Sequence, residues 1–220
     1  MNAFAQFTCK RFMKFTKAHM VVCFGFMLAI AGFAFIPPNV TAGNGKAPLD
    51  LQAKLLLNAL TYYKNLESGT TSQFDIAIVY FPWSKQSKEE AATFSQILKS
   101  FKDKKISGRN FNVLLFTYNG DYGLKEKLAG NNVEVLFISG EEEQMIREIT
   151  QLTRSEKILS CTSNAKFVTS GSVTMAVGLK ENRSKIYFNL SSANDEGADF
   201  SSKFLRVVEI VDEETSSIGK

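Results

Sequence analysis

Four short segments carry the polar and aromatic side chains with which this chain could hold or transform a small molecule. They are Phe81-Pro82-Trp83-Ser84, Asn119-Gly120-Asp121-Tyr122, Ser139-Gly140-Glu141 and Ser163-Asn164. Together they offer an indole, hydroxyls, amides and carboxylates, and two of them run into a helix N-terminus, where backbone N–H groups favour an anion. The same residue types are ordinary helix caps and turn formers, so the segments support two readings. The candidate contact residues are Trp83, Ser84, Asn119, Asp121, Tyr122, Ser139 and Asn164. Trp83, the single tryptophan, is a ligand platform, an anchor for a protein partner or a cap on the core. Glu141-Glu142-Glu143 has the composition of a metal or acid/base cluster, but three acids in a first helical turn are explained by the helix dipole.

Several chemistries are excluded by composition. The single histidine is His19, within an N-terminal segment that reads as a targeting signal. Ser-His-Asp and Cys-His nucleophilic catalysis and imidazole-ligated zinc are therefore absent from the rest of the chain. No phosphate loop, dinucleotide fingerprint or nucleophile elbow occurs. Carboxylate-only chemistry is left in principle, and no metal or other cofactor is implied.

That N-terminal segment has the order of an export signal. Lys10, Arg11, Lys14 and Lys17 precede an apolar run of 17 residues, Met20 to Ile36, followed by Pro37-Pro38 and Val40-Thr41-Ala42. Small residues at −3 and −1 place cleavage after Ala42. The alternative is an uncleaved anchor, since 17 residues is also the short limit for a membrane span. Both readings put the remainder outside the cytoplasm. Without the segment, 178 residues remain, enough for one domain with a substantial core. Removing its four cations from the 26 Lys and Arg leaves 22, against 22 Asp and Glu, so the mature part has no net charge. A neutral domain gives no footprint for nucleic acid. Cys9 and Cys23 also fall in the segment, so Cys161 is left without an internal partner. Lying in an apolar strand pattern, it reads as buried and inert; the alternative is an intermolecular partner.

The elements that must position the four segments follow from periodicity. Residues 43–49 form a leader. Pro48 and Asp50 open an amphipathic helix to about Leu66, with Leu49, Ala53, Leu56, Leu60 and Tyr63 on one face. Strands are expected over 74–80, 111–118, 133–138 and 158–162, the first apolar enough for burial on both faces. Between them lie a helix behind a capping box at Ser87-Lys88-Glu89-Glu90, a short helix over 124–129, and a helix behind a second box at Ser139-Gly140-Glu141-Glu142. Two alternating strands, 172–179 and 185–190, flank a turn at Glu181-Asn182-Arg183-Ser184. Asp199 is expected to cap a last helix bearing Phe200, Phe204, Leu205 and Val208, before a polar tail over 212–220. This order predicts a single α/β domain over 50–211, with a mostly parallel sheet, helices on both faces, and a C-terminal antiparallel hairpin plus helix. In such sheets ligands sit outside the carboxyl ends of the strands, where the four segments fall.

The stretch Gly171 to Val211 resembles the C-terminal signature of the YfiR-like (YfiR/HmsC-type) family of periplasmic proteins. The matching residues are Gly171, Asn189, Leu190, Ala193, Gly197, Ser201, Ser202, Leu205 and Val208. Upstream, Leu55 to Leu66, Ile106-Ser107-Gly108-Arg109 and Val135-Leu136-Phe137-Ile138-Ser139 are similar to the family's first helix, Gly-Arg turn and Leu-Phe-Ile strand. The resemblance implies a non-catalytic periplasmic domain. It would bind the extracytoplasmic sensor segment of an inner-membrane signalling protein, a diguanylate cyclase or sensor kinase, and repress cyclic-di-GMP and biofilm output. Its signature residues are architectural: Asn189 and Ser201-Ser202 would satisfy turn and helix-end backbone groups. Two features depart from the pattern. A single mature cysteine allows no internal disulfide, and Tyr62-Tyr63-Lys64-Asn65 replaces an aromatic and Trp-Pro ending of the first helix. A small ligand near Trp83 is the alternative function, and a homodimer is a further partner arrangement compatible with the sequence.

Overall fold

A computed structural model describes residues 46–211. The segment read as a signal or anchor, the first residues read as a leader and those read as a polar tail lie outside the described residues. Among those described, no helix is long and apolar enough to cross a membrane.

The elements run α1 (Leu49–Leu60), α2 (Lys64–Ser68), β1 (Gln73–Tyr80), α3 (Lys85–Lys99), β2 (Asn110–Thr117), α4 (Asp121–Ala129), β3 (Val133–Ile138), α5 (Glu143–Glu156), β4 (Leu159–Thr162), α6 (Lys166–Thr169), β5 (Met175–Lys180), β6 (Arg183–Asn189), α7 (Leu190–Asp195), α8 (Ser202–Leu205) and β7 (Glu209–Val211). Seven strands form one sheet in the order β2-β1-β3-β4-β5-β6-β7. Every pairing is parallel except β5 with β6. The α/β class, the mostly parallel sheet and the antiparallel hairpin are therefore as the periodicity predicts.

Alternation along the strands divides the core between two faces. Phe74, Ile76 and Ile78 of β1 join Phe94 of α3 and Leu56, Leu57 and Leu60 of α1 on one face. Ala77 and Val79 point the other way, into a layer with Leu124 of α4 and Ile146 and Ile149 of α5. Phe94 stacks on Phe137 of β3 with ring centroids 4.0 Å apart, which ties α3 to the middle of the sheet. Cys161 is free and buried on the α1/α3 side, and burial raises its thiol pKa well above the ordinary value.

Four local expectations are corrected, all but the hairpin turn by contacts distant in sequence. The first helix ends at Leu60, not Leu66, because the chain from Tyr62 to Asn65 is seized by the C-terminal region. Lys64 N–H donates to Asp199 O at 2.9 Å and Ser201 N–H to Tyr62 O at 3.0 Å, while the Tyr63 ring stacks on Phe200 at 5.0 Å. Asp199 caps nothing; its carboxylate pairs with Lys64 at 3.0 Å, and Ser201 precedes a helix of only four residues. Its successor β7, unforeseen in the sequence, pairs with β6 through Phe188 and Ile210. The hairpin turn is just Glu181-Asn182, with φ of 52° and 60°, so β6 starts at Arg183. Two consecutive left-handed residues match the twist of the strands, and Asn tolerates that conformation.

One buried carboxyl stands out in this frame. Glu196, just after α7, is 1% exposed and has no ion-pair partner among the described residues. Its Oε2 accepts from Ser160 N–H at 2.9 Å and the Thr174 hydroxyl at 2.6 Å, and its Oε1 lies 2.7 Å from Thr153 Oγ1. Burial pushes its pKa above 4.5, against the pull of those hydrogen bonds. Above 4.5 and up to the raised folded value, the native state holds a proton that the unfolded chain has released. Stability therefore falls as pH rises through that window. Glu196→Gln keeps the shape and cannot ionise. The Thr153 hydroxyl, which donates to Thr150 O at 3.0 Å, can accept from the new amide. Urea denaturation from pH 5 to 8 should show Glu196→Gln at least as stable as the parent at pH 8, with the parent's decline across this range reduced. A Glu196→Gln protein that is the less stable at pH 8 would contradict the assignment. Glu196→Ala, which strands the Ser160 N–H and the Thr174 hydroxyl, should cost about 2–4 kcal/mol.

Candidate functional site

The chain leaves β1 to form β2 on one side, then crosses to place β3 on the other. This reversal is the topological switch point, and it puts a crevice between the exits of β1 and β3. Three of the four sequence segments border or approach it, but the protein fills it with its own side chains.

Phe81, the first residue after β1, is fully buried. Its N–H donates to Ser87 Oγ at 3.0 Å, and the Ser87 hydroxyl donates to Ser139 O, just after β3, at 2.7 Å. Ser139 is itself 0% exposed. Its hydroxyl lies 2.8 Å from Ser87 O and 2.9 Å from Glu90 Oε2, with one proton to share between them. Glu90 Oε2 also accepts from Gly140 N–H at 3.2 Å, and Lys46 lies 3.4 Å from the other Glu90 oxygen. Gly140 has φ +113°, and a Cβ there would sit 2.7 Å from the Phe81 ring. The bare backbone is what lets that ring close the crevice.

Neither predicted capping box acts as one. Ser84, not Ser87, caps α3, its hydroxyl accepting from Ser87 N–H at 3.3 Å. Glu142 precedes α5 without a side-chain cap bond, and Ser139 is spent inside the protein. Of the three acids read as helix-dipole partners, only Glu143 lies in the first turn. Glu141 instead accepts from Asn164 Nδ2 at 3.2 Å and pairs with Lys46 at 3.0 Å; that ammonium draws the carboxyl below its ordinary pKa.

On the outer surface of this plug, Trp83 is 61% exposed. Its indole stacks on Phe81 at 5.8 Å and meets the Tyr118 ring edge-on at 6.3 Å. Tyr118 is buried, and its Oη lies 2.8 Å from both Asp121 Oδ1 and Glu148 Oε2. Burial, with those two carboxylates, raises the phenol pKa, so Tyr118 stays neutral. Asp121, taken in the sequence for a turn residue, starts α4 and orients Tyr118. Asn119 is exposed, and Tyr122 is 76% exposed. Asn164 lies apart from this aromatic group, beside Glu141.

A cavity of about 390 Å3 opens there, lined among others by Lys46, Glu141, Ser163, Asn164, Lys166 and Tyr187. Trp83 takes no part in it. Sequence reading missed Lys46, assigned to a leader, and Lys166 and Tyr187, which showed no motif. Among the described residues no group of three or more His, Cys, Asp or Glu could hold a metal ion.

A family model described as YfiR/HmsC-like matches residues 49–209, most of the chain. The chain belongs to the YfiR/HmsC-like family. Members of this family are periplasmic, non-catalytic regulators of cyclic-di-GMP signalling. No curated protein matches the chain. Solved structures of similar fold include the ABC domain in complex with L-Trp from Streptococcus pneumonia (TM-score 0.51, 12% identity, covering 74% of this chain and 60% of that one). A conserved domain protein from Vibrio cholerae has a TM-score of 0.51 at 14% identity, covering 75% and 60%. The ligand-free, open form of CD0873 from Clostridium difficile, a substrate-binding protein with adhesive properties, has a TM-score of 0.54 at 12% identity, covering 76% and 61%. These likenesses are of fold alone, and the YfiR/HmsC-like chain spans about three-fifths of each of those chains.

The residues that carried the YfiR/HmsC-like resemblance sit at backbone junctions. Asn189 is fully buried; its Oδ1 accepts from Ser192 N–H at 2.8 Å to cap α7, and its Nδ2 donates to Val168 O at 3.2 Å. Gly171 and Gly197 have φ of 71° and 67°. The Gly171 carbonyl accepts from Arg154 and from Ser192 Oγ, and Gly197 O accepts from Asn65. Leu205 packs against the core, while Leu190 and Ser202 are exposed. Ser201 precedes α8 without a side-chain cap bond, and its hydroxyl is buried without a partner.

The closed switch point makes a measurable claim. Ser87→Ala strands the Phe81 N–H and the bond to Ser139 O, at a cost of about 1–3 kcal/mol. Gly140→Ala forces a side chain against Phe81 from a left-handed backbone, again at about 1–3 kcal/mol or more. Both should lower the urea midpoint. Both should also make the fluorescence of Trp83 more accessible to acrylamide, since the ring beneath it is loosened. Parental stability and quenching in both variants would contradict a plugged crevice.

Proposed function

We propose that the mature domain is a periplasmic regulator that binds the extracytoplasmic segment of an inner-membrane signalling protein, a diguanylate cyclase, and represses it. Family membership supports the regulatory class. The observation that carries the contact surface is Trp83. An indole that is 61% exposed, yet braced from beneath by Phe81 and Tyr118, loses little freedom on being covered. Large aromatic anchors of this kind dominate protein interfaces. Tyr122 and Asn119 offer further exposed contact area on the exit of β2.

Repression needs no chemistry from this domain. Binding the inactive receptor more tightly than the active one shifts the receptor's population by that difference in affinity and no more. To move a receptor from mostly active to mostly inactive takes a preference of about 10⁴-fold. A well-packed aromatic hot-spot contact made only to the inactive state contributes to such a difference. A sensor kinase in place of the cyclase would be held by the same logic.

The small-ligand reading has one observation in its favour, the cavity of about 390 Å3, but Trp83 does not line it. The crevice beside Trp83, where the sequence placed that ligand, is occupied by Phe81 and the Ser87–Ser139 bonds.

Capture from detergent-solubilised inner membranes tests the proposal. The tagged protein should retain a membrane protein with a periplasmic segment and a cytoplasmic cyclase domain. Trp83→Ala should weaken that retention about thirtyfold or more, in line with loss of a hot spot, with little change in melting temperature. Equal retention by Trp83→Ala would remove Trp83 from the interface. Capture of no membrane protein by a folded bait would overturn the regulator reading.

A further inference from the structure

The cavity at the exits of β4 and β5 has a chemistry distinct from the Trp83 surface. Three charged side chains line it: Lys46, Lys166 and Glu141. Lys46 is already committed, lying 3.0 Å from Glu141 and 3.4 Å from Glu90. Asn164 is committed as well, its Nδ2 to Glu141 and its Oδ1 to the Lys166 N–H. Lys166 has no carboxylate within ion-pair distance among the described residues; its Nζ lies 4.6 Å from the Phe167 ring centroid. Glu141 feels its charge but forms no ion pair with it, so this exposed ammonium is open to an anion.

A second observation points the same way. Ser163, the residue after β4, lines the cavity and is 0% exposed, yet its hydroxyl has no hydrogen-bond partner. A buried hydroxyl left unmatched is costly and uncommon. It belongs to the lining of a pocket completed by Ala165, Thr169, Leu179 and Tyr187. Gly178 shapes that wall, since a Cβ there would meet Tyr187 at 3.0 Å and Ala165 at 3.3 Å. The volume falls within the range of small-molecule sites, about 300–1,000 Å3.

One cation without an ion pair, one orphaned hydroxyl and a wall with apolar Leu179 and Ala165 beside Tyr187 define a specific occupant. We infer that this cavity binds a small organic monocarboxylate, its carboxylate held by Lys166 Nζ and the Ser163 hydroxyl and its apolar body laid on Leu179 and Tyr187. A dianionic phosphate would need more free donors than the site has. A cation would meet the uncommitted ammonium. The site stands apart from the proposed partner surface, because Trp83 does not line it, so either assignment can fail alone.

Titration calorimetry of the full-length protein in mild detergent tests the inference. The probes are benzoate and hexanoate, with hexylammonium and inorganic phosphate as controls. At least one carboxylate should saturate with a dissociation constant of about 1 mM or tighter, within the reach of a ligand of that size. Neither control should. Lys166→Gln should weaken binding about tenfold or more, whereas Lys85→Gln, an exposed lysine on α3, should bind as the parent does. Ser163→Ala should also bind more weakly, yet melt higher when empty, because the orphaned hydroxyl is gone. No saturation by either carboxylate overturns the inference. So does unchanged affinity in Lys166→Gln, and so does equal binding of phosphate or hexylammonium. Unchanged affinity in Ser163→Ala would strike the hydroxyl from the site.

Discussion

The Ser87 hydroxyl accepts a hydrogen bond from the N–H of Phe81 and donates one to the carbonyl of Ser139, and much of the carboxyl end of this sheet depends on that pair of bonds. It joins α3 to the exits of β1 and β3 across the one place where the fold would ordinarily leave a ligand crevice. With Phe81 drawn inward and Gly140 bare behind it, the crevice closes. The next aromatic residue in the chain, Trp83, must then lie on the outside. A hydroxyl of this kind, buried and satisfied in both roles, acts at low local dielectric, where a missing partner is costly.

Carboxylates follow the same economy. Glu90, Glu141 and Glu196 have the residue type and partial burial that could accompany acid/base chemistry, yet each is bound to protein groups. Glu90 holds Ser139, Gly140 and Lys46; Glu141 holds Asn164 and Lys46; Glu196 closes the junction of β4, β5 and α7. No pair of them converges on an open crevice.

Much of this was legible in the sequence because it is written in short periods. The apolar runs at Phe74 to Tyr80 and Val133 to Ile138 give a buried parallel sheet, and the alternation around Glu181-Asn182 gives the hairpin. What was not legible depends on contacts between distant residues. Nothing local ends α1 at Leu60; the Tyr63–Phe200 stack does. Ser87 and Ser139 each have the spacing of a capping box, but the tertiary demand of the switch point takes both hydroxyls. Arg109 read as part of a family turn. That turn forms between Ile106 and Arg109, and the guanidinium also crosses the opposite end of the sheet, reaching Thr71, Gln73 and Glu134 over the Phe74 ring. The cavity was invisible because its walls come from Lys46, Lys166 and Tyr187, which share no motif and meet only through the sheet order.

The proposed function rests on the surface around Trp83. Its most direct test is the cyclic-di-GMP content of source cells lacking the protein, complemented with the parent or with Trp83→Ala. The account predicts that loss of the protein raises cyclic-di-GMP, that the parent restores it, and that Trp83→Ala, exported to the same level, does not. Unchanged cyclic-di-GMP on deletion, or full restoration by Trp83→Ala, would contradict it.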